Sequence, residues 1–172
     1  MDADTQAPRK APIAAWIGVA VFFALVGGLA LALLGGEGVR DPMRGRPAPA
    51  IPVPLAAGSV PDGAHVVNFW ATWCTPCIAE HPVLMEMADA GVPIVGVAYR
   101  DEPEKVARWL GRAGNPYSAL HFDPEGLSLP LYGVRGVPET FVVGPDGTIL
   151  QRISGALEEP VGISPPSAGG AG

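Results

Sequence analysis

The chain has 172 residues, 48% of them apolar, which suffices for one domain with a true core and argues against wholesale disorder. Its net charge of −6 and the lack of any basic stripe exclude nucleic acid as a partner. Two cysteines exclude a multi-bridge disulfide scaffold.

Residues 1–12 carry Arg9 and Lys10, and from Ile13 to Leu34 no charge occurs. As a helix this run is roughly 33 Å long, enough to cross a hydrocarbon core of about 30 Å. Trp16 sits near one end, where an interfacial aromatic belongs, and the next charges (Glu37, Arg40, Asp41) are mixed in sign. The positive-inside rule then leaves 1–12 in the cytoplasm and exports everything beyond Gly35. A cleaved signal peptide is the alternative, but its apolar region runs to only about 7–15 residues. A buried helix of a soluble domain would show a polar face, and this run has none.

Proline and glycine dominate residues 35–63, which predicts an extended linker, with "IPVPL" a possible edge strand. The domain is expected over 64–157. "HVVNFWA" (65–71) reads as a strand buried on both faces. "CIAEHPVLMEMADA" (77–90) has helical spacing, with Ile78, Leu84, Met85 and Ala88 on one face and a kink expected at Pro82. "PIVGVAY" (93–99) is a second buried strand. In "DEPEKVARWLGRAG" (101–114) Asp101 is the expected N-cap, Pro103 fits the first turn and Glu104 completes a capping box. A third strand is expected at 117–123, a short helix or turn at 124–133, and a hairpin at 140–153 around Asp146-Gly147. This order gives an α/β domain with a mixed sheet and helices on both faces. Residues 158–172 read as a disordered tail.

Cys74 and Cys77 form a CxxC at the strand-to-helix junction. As a disulfide it closes a tiny loop and is a weak staple, so chemistry explains it better than stability. At a helix N-terminus the Cys74 thiol would face unpaired N–H groups and the positive end of the dipole, both of which favour the nucleophilic thiolate. Cys77, one turn later, could resolve a mixed disulfide. Pro76 stiffens the turn, and Trp73 is a flat apolar shield beside the thiol. A structural zinc site needs four ligands, and His65, His81 and His121 have no ligand spacing, so no metal ligands are assigned. A two-thiolate Cu(I) site and a pair of inert cysteines remain the alternatives to redox chemistry. "GVPET" (136–140) places Pro138 just before a strand, where a cis bond can form a tight turn. Glu80 shares a helical face with Cys77 and could move its proton, or be a solvated helix charge. Glu139 could shape an acidic groove or be a surface loop charge. Trp70 reads as core.

The combination of "NFWATWCTPCIAEHPVL", "VGVAYRDEPEKVARWLGRAGNPY" and "YGVRGVPETFVVGPDGTI" resembles the thioredoxin superfamily. More narrowly it is similar to CcmG/DsbE, the membrane-anchored thiol:disulfide oxidoreductases of bacterial cytochrome c maturation. The similarity covers roughly 45–157. It implies a thioredoxin fold behind a single-pass inner-membrane anchor, with the domain in the periplasm. It implies that Cys74 attacks, Cys77 resolves and Pro138 is a cis-proline whose backbone pairs with an extended substrate, flanked by Trp73, Thr75, Pro76, Val137 and Glu139. The implied reaction is reduction of the CxxCH disulfide of apocytochrome c, with a DsbD- or CcdA-type membrane donor and no cofactor beyond the Cys74–Cys77 disulfide. A general reductase of TlpA or ResA type and a copper-handling protein are the alternatives. The chain departs from the family in its Thr75-Pro76 pair. It departs also in "EEPVGISPPSAGGAG", whose paired prolines and glycine-rich end leave out the family's C-terminal helix, so that either stability suffers or another element covers that sheet face.

Overall fold

The computed structural model describes residues 13–34 and 41–163, and expectations for 1–12, 35–40 and 164–172 fall outside the described residues. The chain divides into two compact units, Met1–Arg40 and Asp41–Gly172. The first holds α1 (Ile13–Leu34), an uninterrupted helix over the whole uncharged run. Its described side chains, 17–28, are exposed all round. Within the side chains described there, 17–28, no apolar span is long enough to cross a membrane.

The second unit is built on a six-stranded mixed sheet. Its strands are β1 (Leu55–Gly58), β2 (His65–Trp70), β3 (Ile94–Tyr99), β4 (Ala119–Asp123), β5 (Glu139–Val143) and β6 (Ile149–Ser154), in spatial order β1-β4-β3-β2-β5-β6. β2 runs parallel to β3, and β3 to β4, while the other pairs are antiparallel. The parallel pairs are linked by α2 (Thr75–Asp89) and α3 (Pro103–Ala113), and α4 (Ser128–Leu131) precedes β5. Being central, β2 is covered on both faces, which explains its unbroken apolar character. Val66 and Trp70 face Leu84, Met87, Val106 and Leu110. Val67 and Phe69 point the other way, to Val97, Phe141, Leu129 and Tyr132. There Phe69, Tyr132 and Phe141 pack edge to face, with ring centroids 5.0–5.9 Å apart.

Several expectations are corrected. The buried stripe of α2 is Cys77, Glu80, His81, Leu84 and Met87, while Ile78 is exposed. The helix start is rotated to seat the cysteines, so a carboxylate faces the core and an isoleucine faces out. Pro82 lies inside the helix, as expected. The N-cap of α3 is Glu102, not Asp101, and it makes no side-chain capping bond. Glu102 pairs instead with Lys105 at 2.8 Å.

The stretch expected as linker belongs to the second unit from Asp41 onward. Gly45 and Ala48 donate backbone hydrogen bonds to Ile149 and Gly147, and Ile149 donates to Arg46, each at 2.8 Å. The edge strand begins on the last residue of "IPVPL" and runs over 55–58, paired with β4. Gly58, at φ +75°, ends it where a Cβ would fall 1.9 Å from the Ser118 carbonyl oxygen. After β6 no helix follows among the described residues. Leu157 is buried, and Val161 and Ile163 pack on the α2–α3 side of the core. This irregular strap supplies the cover that the sequence calls for.

Candidate active site

β2 ends at Trp70, and beyond the buried Ala71 the turn 71–74 closes with Cys74 N–H on the Ala71 carbonyl at 3.2 Å. Cys74 is the N-cap of α2, in extended conformation, and its Sγ accepts the Cys77 N–H at 3.3 Å. Pro76 falls in the first helical turn, where a missing N–H is harmless. Cys74 and Cys77 are joined in a disulfide and are almost entirely buried. Across from them the Val137–Pro138 peptide bond is cis, as expected from "GVPET". The Val137 carbonyl oxygen lies 3.6 Å from Cys74 Sγ. Pro138 is buried and Val137 half-buried, so Val137 forms the accessible part of this wall. Trp73, 57% exposed, stands at the rim with Thr75, Pro76 and Ile78. Its indole Nε1–H donates to the Arg100 carbonyl at 3.1 Å.

Asp101 has a role that its capping pattern concealed. Its carboxylate accepts from the Thr72 N–H and from Thr72 Oγ1, the latter at 3.0 Å, and from the Glu102 N–H at 2.8 Å. The buried aspartate therefore ties the end of β3 to the loop that carries Trp73 and Cys74.

Behind the disulfide lies a closed polar network. Glu80 is fully buried. Its Oε1 accepts from Asn68 Nδ2 at 2.9 Å, and its Oε2 accepts from the Leu157 N–H at 3.0 Å. Asn68 also donates to Thr140 Oγ1 at 3.1 Å and accepts from the Tyr117 hydroxyl at 3.0 Å. Burial raises the Glu80 carboxyl above the ordinary value of 4.5, against the lowering effect of its two hydrogen bonds. Burial, reinforced by the Glu80 charge, raises Tyr117 well above 10, so its hydroxyl remains a donor. Gly96 allows this arrangement, since a Cβ there would lie 2.7 Å from the Tyr117 ring. Glu80 is therefore not a solvated helix charge. Asn68, Tyr117 and Thr140 were missed, although a lone amide inside "HVVNFWA" required a buried partner.

Glu139 is corrected. Its carboxylate accepts from Arg152 Nε and Ser154 Oγ, both at 2.6 Å, and is buried between β5 and β6. It is consumed by an internal pair and shapes no groove. Trp70 is core, stacked on Tyr117 and close to Trp109. Each histidine contacts a carbonyl: His65 at Gly63, His81 at Ala113, His121 at Val53. Among the described residues no group of three or more His, Cys, Asp or Glu side chains is placed to hold a metal.

A thiol pair at a helix start, a cis-proline wall beside it and the mixed sheet beneath define a thiol:disulfide oxidoreductase of thioredoxin fold. The chain belongs to the Redoxin family, whose profile matches residues 47–169. It is 41% identical to the thiol:disulfide interchange protein HelX of Rhodobacter capsulatus over 127 residues, 69% of this chain and 72% of the relative. It is 38% identical to the thiol:disulfide interchange protein DsbE homolog of Paracoccus denitrificans over 149 residues, 81% and 83% of the two. Among solved structures it is similar to one described as the thiol:disulfide interchange protein DsbE of Chlorobium tepidum. The TM-score is 0.58 with 27% identity, covering 67% of this chain and 87% of that one.

Proposed function

We propose that this oxidoreductase works as a reductant anchored in the bacterial inner membrane with its domain in the periplasm, and that its client is the CxxCH disulfide of apocytochrome c. The observation that carries this reading is the buried Cys74–Cys77 disulfide at the start of α2, facing the cis Val137–Pro138 wall. The 22-residue uncharged run from Ile13 to Leu34 in the sequence supports the anchor, and similarity to DsbE and HelX supports the client class.

In the reduced protein the Cys74 thiolate attacks one client sulfur. A Cys74–client disulfide forms and the client's second sulfur leaves as a thiolate. The Cys77 N–H and the α2 dipole stabilise the attacking thiolate. Cys77 then loses its proton, with Glu80 as the receiving group, and attacks Cys74 Sγ. The intramolecular disulfide closes, and the client departs with both sulfurs reduced. Two electrons have passed from the Cys74–Cys77 dithiol to the client. A DsbD- or CcdA-type membrane donor returns the disulfide to the dithiol. Trp73, Thr75, Pro76 and Val137 form the client-facing rim, and an extended client strand pairs along Val137-Pro138.

The test is to express the Cys77→Ser chain in cells that make cytochrome c. The expected result is a mixed disulfide between Cys74 and apocytochrome c. Capture of other clients alone transfers the role to a general periplasmic reductase.

A further inference from the structure

We infer that Tyr117 is a positioning residue for the proton step at Cys77: its hydroxyl locks the Asn68 amide with Nδ2 towards Glu80, which holds Glu80 as a carboxylate ready to take a proton. The inference rests on the reaction proposed above, in which Glu80 receives the Cys77 proton. The sheet register assembles the parts. Gly96, Asn68 and Thr140 lie side by side on β3, β2 and β5. Gly96 leaves room on that row, and the Tyr117 ring fills it, stacked on Trp70 with centroids 5.3 Å apart. From there the hydroxyl reaches Asn68 Oδ1 at 3.0 Å. Both amide hydrogens of Asn68 are engaged as well, one on Glu80 Oε1 and one on Thr140 Oγ1.

Both partners of the Glu80 carboxylate, Asn68 Nδ2 and the Leu157 N–H, are donors. A protonated Glu80 finds no acceptor in them unless the Asn68 amide turns over and presents Oδ1. That turn would aim Nδ2 at the Tyr117 hydroxyl and strand the phenol hydrogen, whose one partner among the described residues is Asn68. Tyr117 cannot shed the hydrogen instead, because burial and the Glu80 charge hold its pKa well above 10. Donation into Oδ1 also polarises the amide and strengthens its N–H bond to Glu80. The lock therefore returns Glu80 to its ionised form after each proton transfer. No fixed charge nearby competes with this effect. On α2, Cys77 is one turn before Glu80, and His81 turns away to Ala113 and Trp109. On β5 and β6, Glu139 and Arg152 pair with each other. On the strap, Glu158 and Glu159 are exposed.

The test uses the full chain in detergent, ¹³C-labelled at its glutamate carboxyl groups, with the Glu80 signal identified by its loss in Glu80→Gln. Tyr117→Phe keeps the ring and removes the hydroxyl, and the Glu80 titration midpoint should then rise by about half a pH unit or more. Tyr132→Phe, which removes a hydroxyl bond to Pro49 on the other face of the sheet, should leave the midpoint in place. Single turnovers of the reduced chain with a disulfide-bonded model peptide read the release step. Its acid limb should move to higher pH with the midpoint in Tyr117→Phe and stay put in Tyr132→Phe. Should Tyr117→Phe not fold, the unaltered chain decides through the Asn68 side-chain N–H protons. These should stay beside Thr140, and not turn to the Tyr117 ring, as Glu80 is titrated. A Glu80 midpoint that is the same in Tyr117→Phe and the parent, or an amide that turns over on protonation, overturns the inference and leaves the proposed reaction standing. Release that is unchanged in Glu80→Gln, or that ignores a shifted midpoint, overturns that reaction and the inference with it.

Discussion

In the proposed reaction Glu80 ties one side chain to both stability and chemistry. Its carboxyl is held above 4.5, so the folded protein keeps that proton to higher pH than the unfolded chain does. In the window above the unfolded value the folded state binds more protons, and stability falls as pH rises through the folded value. Urea midpoints measured between about pH 4 and 8 should show this fall in the parent chain and lose it in Glu80→Gln. On the proposed mechanism the same variant has no carboxylate to receive the Cys77 proton. Release of a trapped model client should slow by about a hundredfold, and the pH profile of that step should flatten. Asn68→Ala leaves the Glu80 carboxylate and the Tyr117 hydroxyl each short of a partner, at about 1–3 kcal/mol per buried group. Chemical denaturation reads that loss directly.

Among the elements, β5 and β6 are joined near the site by Arg152 on Glu139, with Asp41 3.7 Å from the same guanidinium. Arg152→Met strands a buried carboxylate beside Pro138 and should cost about 3 kcal/mol or more. Adding Glu139→Leu should restore most of it, because the pair is then replaced by apolar groups rather than broken. A double-mutant cycle in denaturant checks both statements. The pair also shows where the sequence was opaque. Glu139 follows "GVP" and reads as a loop charge, yet its partner lies thirteen residues on, across a hairpin whose pairing residue types alone do not fix. Motifs that combine local geometry with chemistry were readable, as the CxxC at a helix start and Pro138 before a strand demonstrate. Positions decided by rotation or by tertiary partners were not. Ile78 was expected on the buried face and is exposed because a slight turn of α2 puts Cys77 and Glu80 inward instead, and the apolar periodicity of one helix does not exclude either choice. "DEPEK" fits a capping box at Asp101, but Thr72, far upstream, claims that carboxylate.

At the scale of the whole domain, the boundaries decide whether the redox centre is closed. The chain from Asp41 contributes β1, buried Met43 and Val53, and the 45–48 segment beside β6. A protein cut to begin at residue 64, the boundary the composition suggests, should unfold far more readily than one that begins at 41. At the other end the strap beyond β6 brings Leu157 over α2, with its side chain in the core and its N–H on Glu80 Oε2. These two contributions are separable. Leu157→Ala keeps the N–H and should lose about 2–5 kcal/mol of packing. Leu157→Pro removes the donor as well, so one of the two bonds that lower the Glu80 value disappears and the carboxyl rises further. Both variants should be less stable. Only the proline variant should carry the Glu80-dependent fall in stability to higher pH, and only it should shift the pH profile of client release in the same direction. If the two variants instead share one pH profile, the strap merely covers the core and does not tune the proton acceptor behind Cys77.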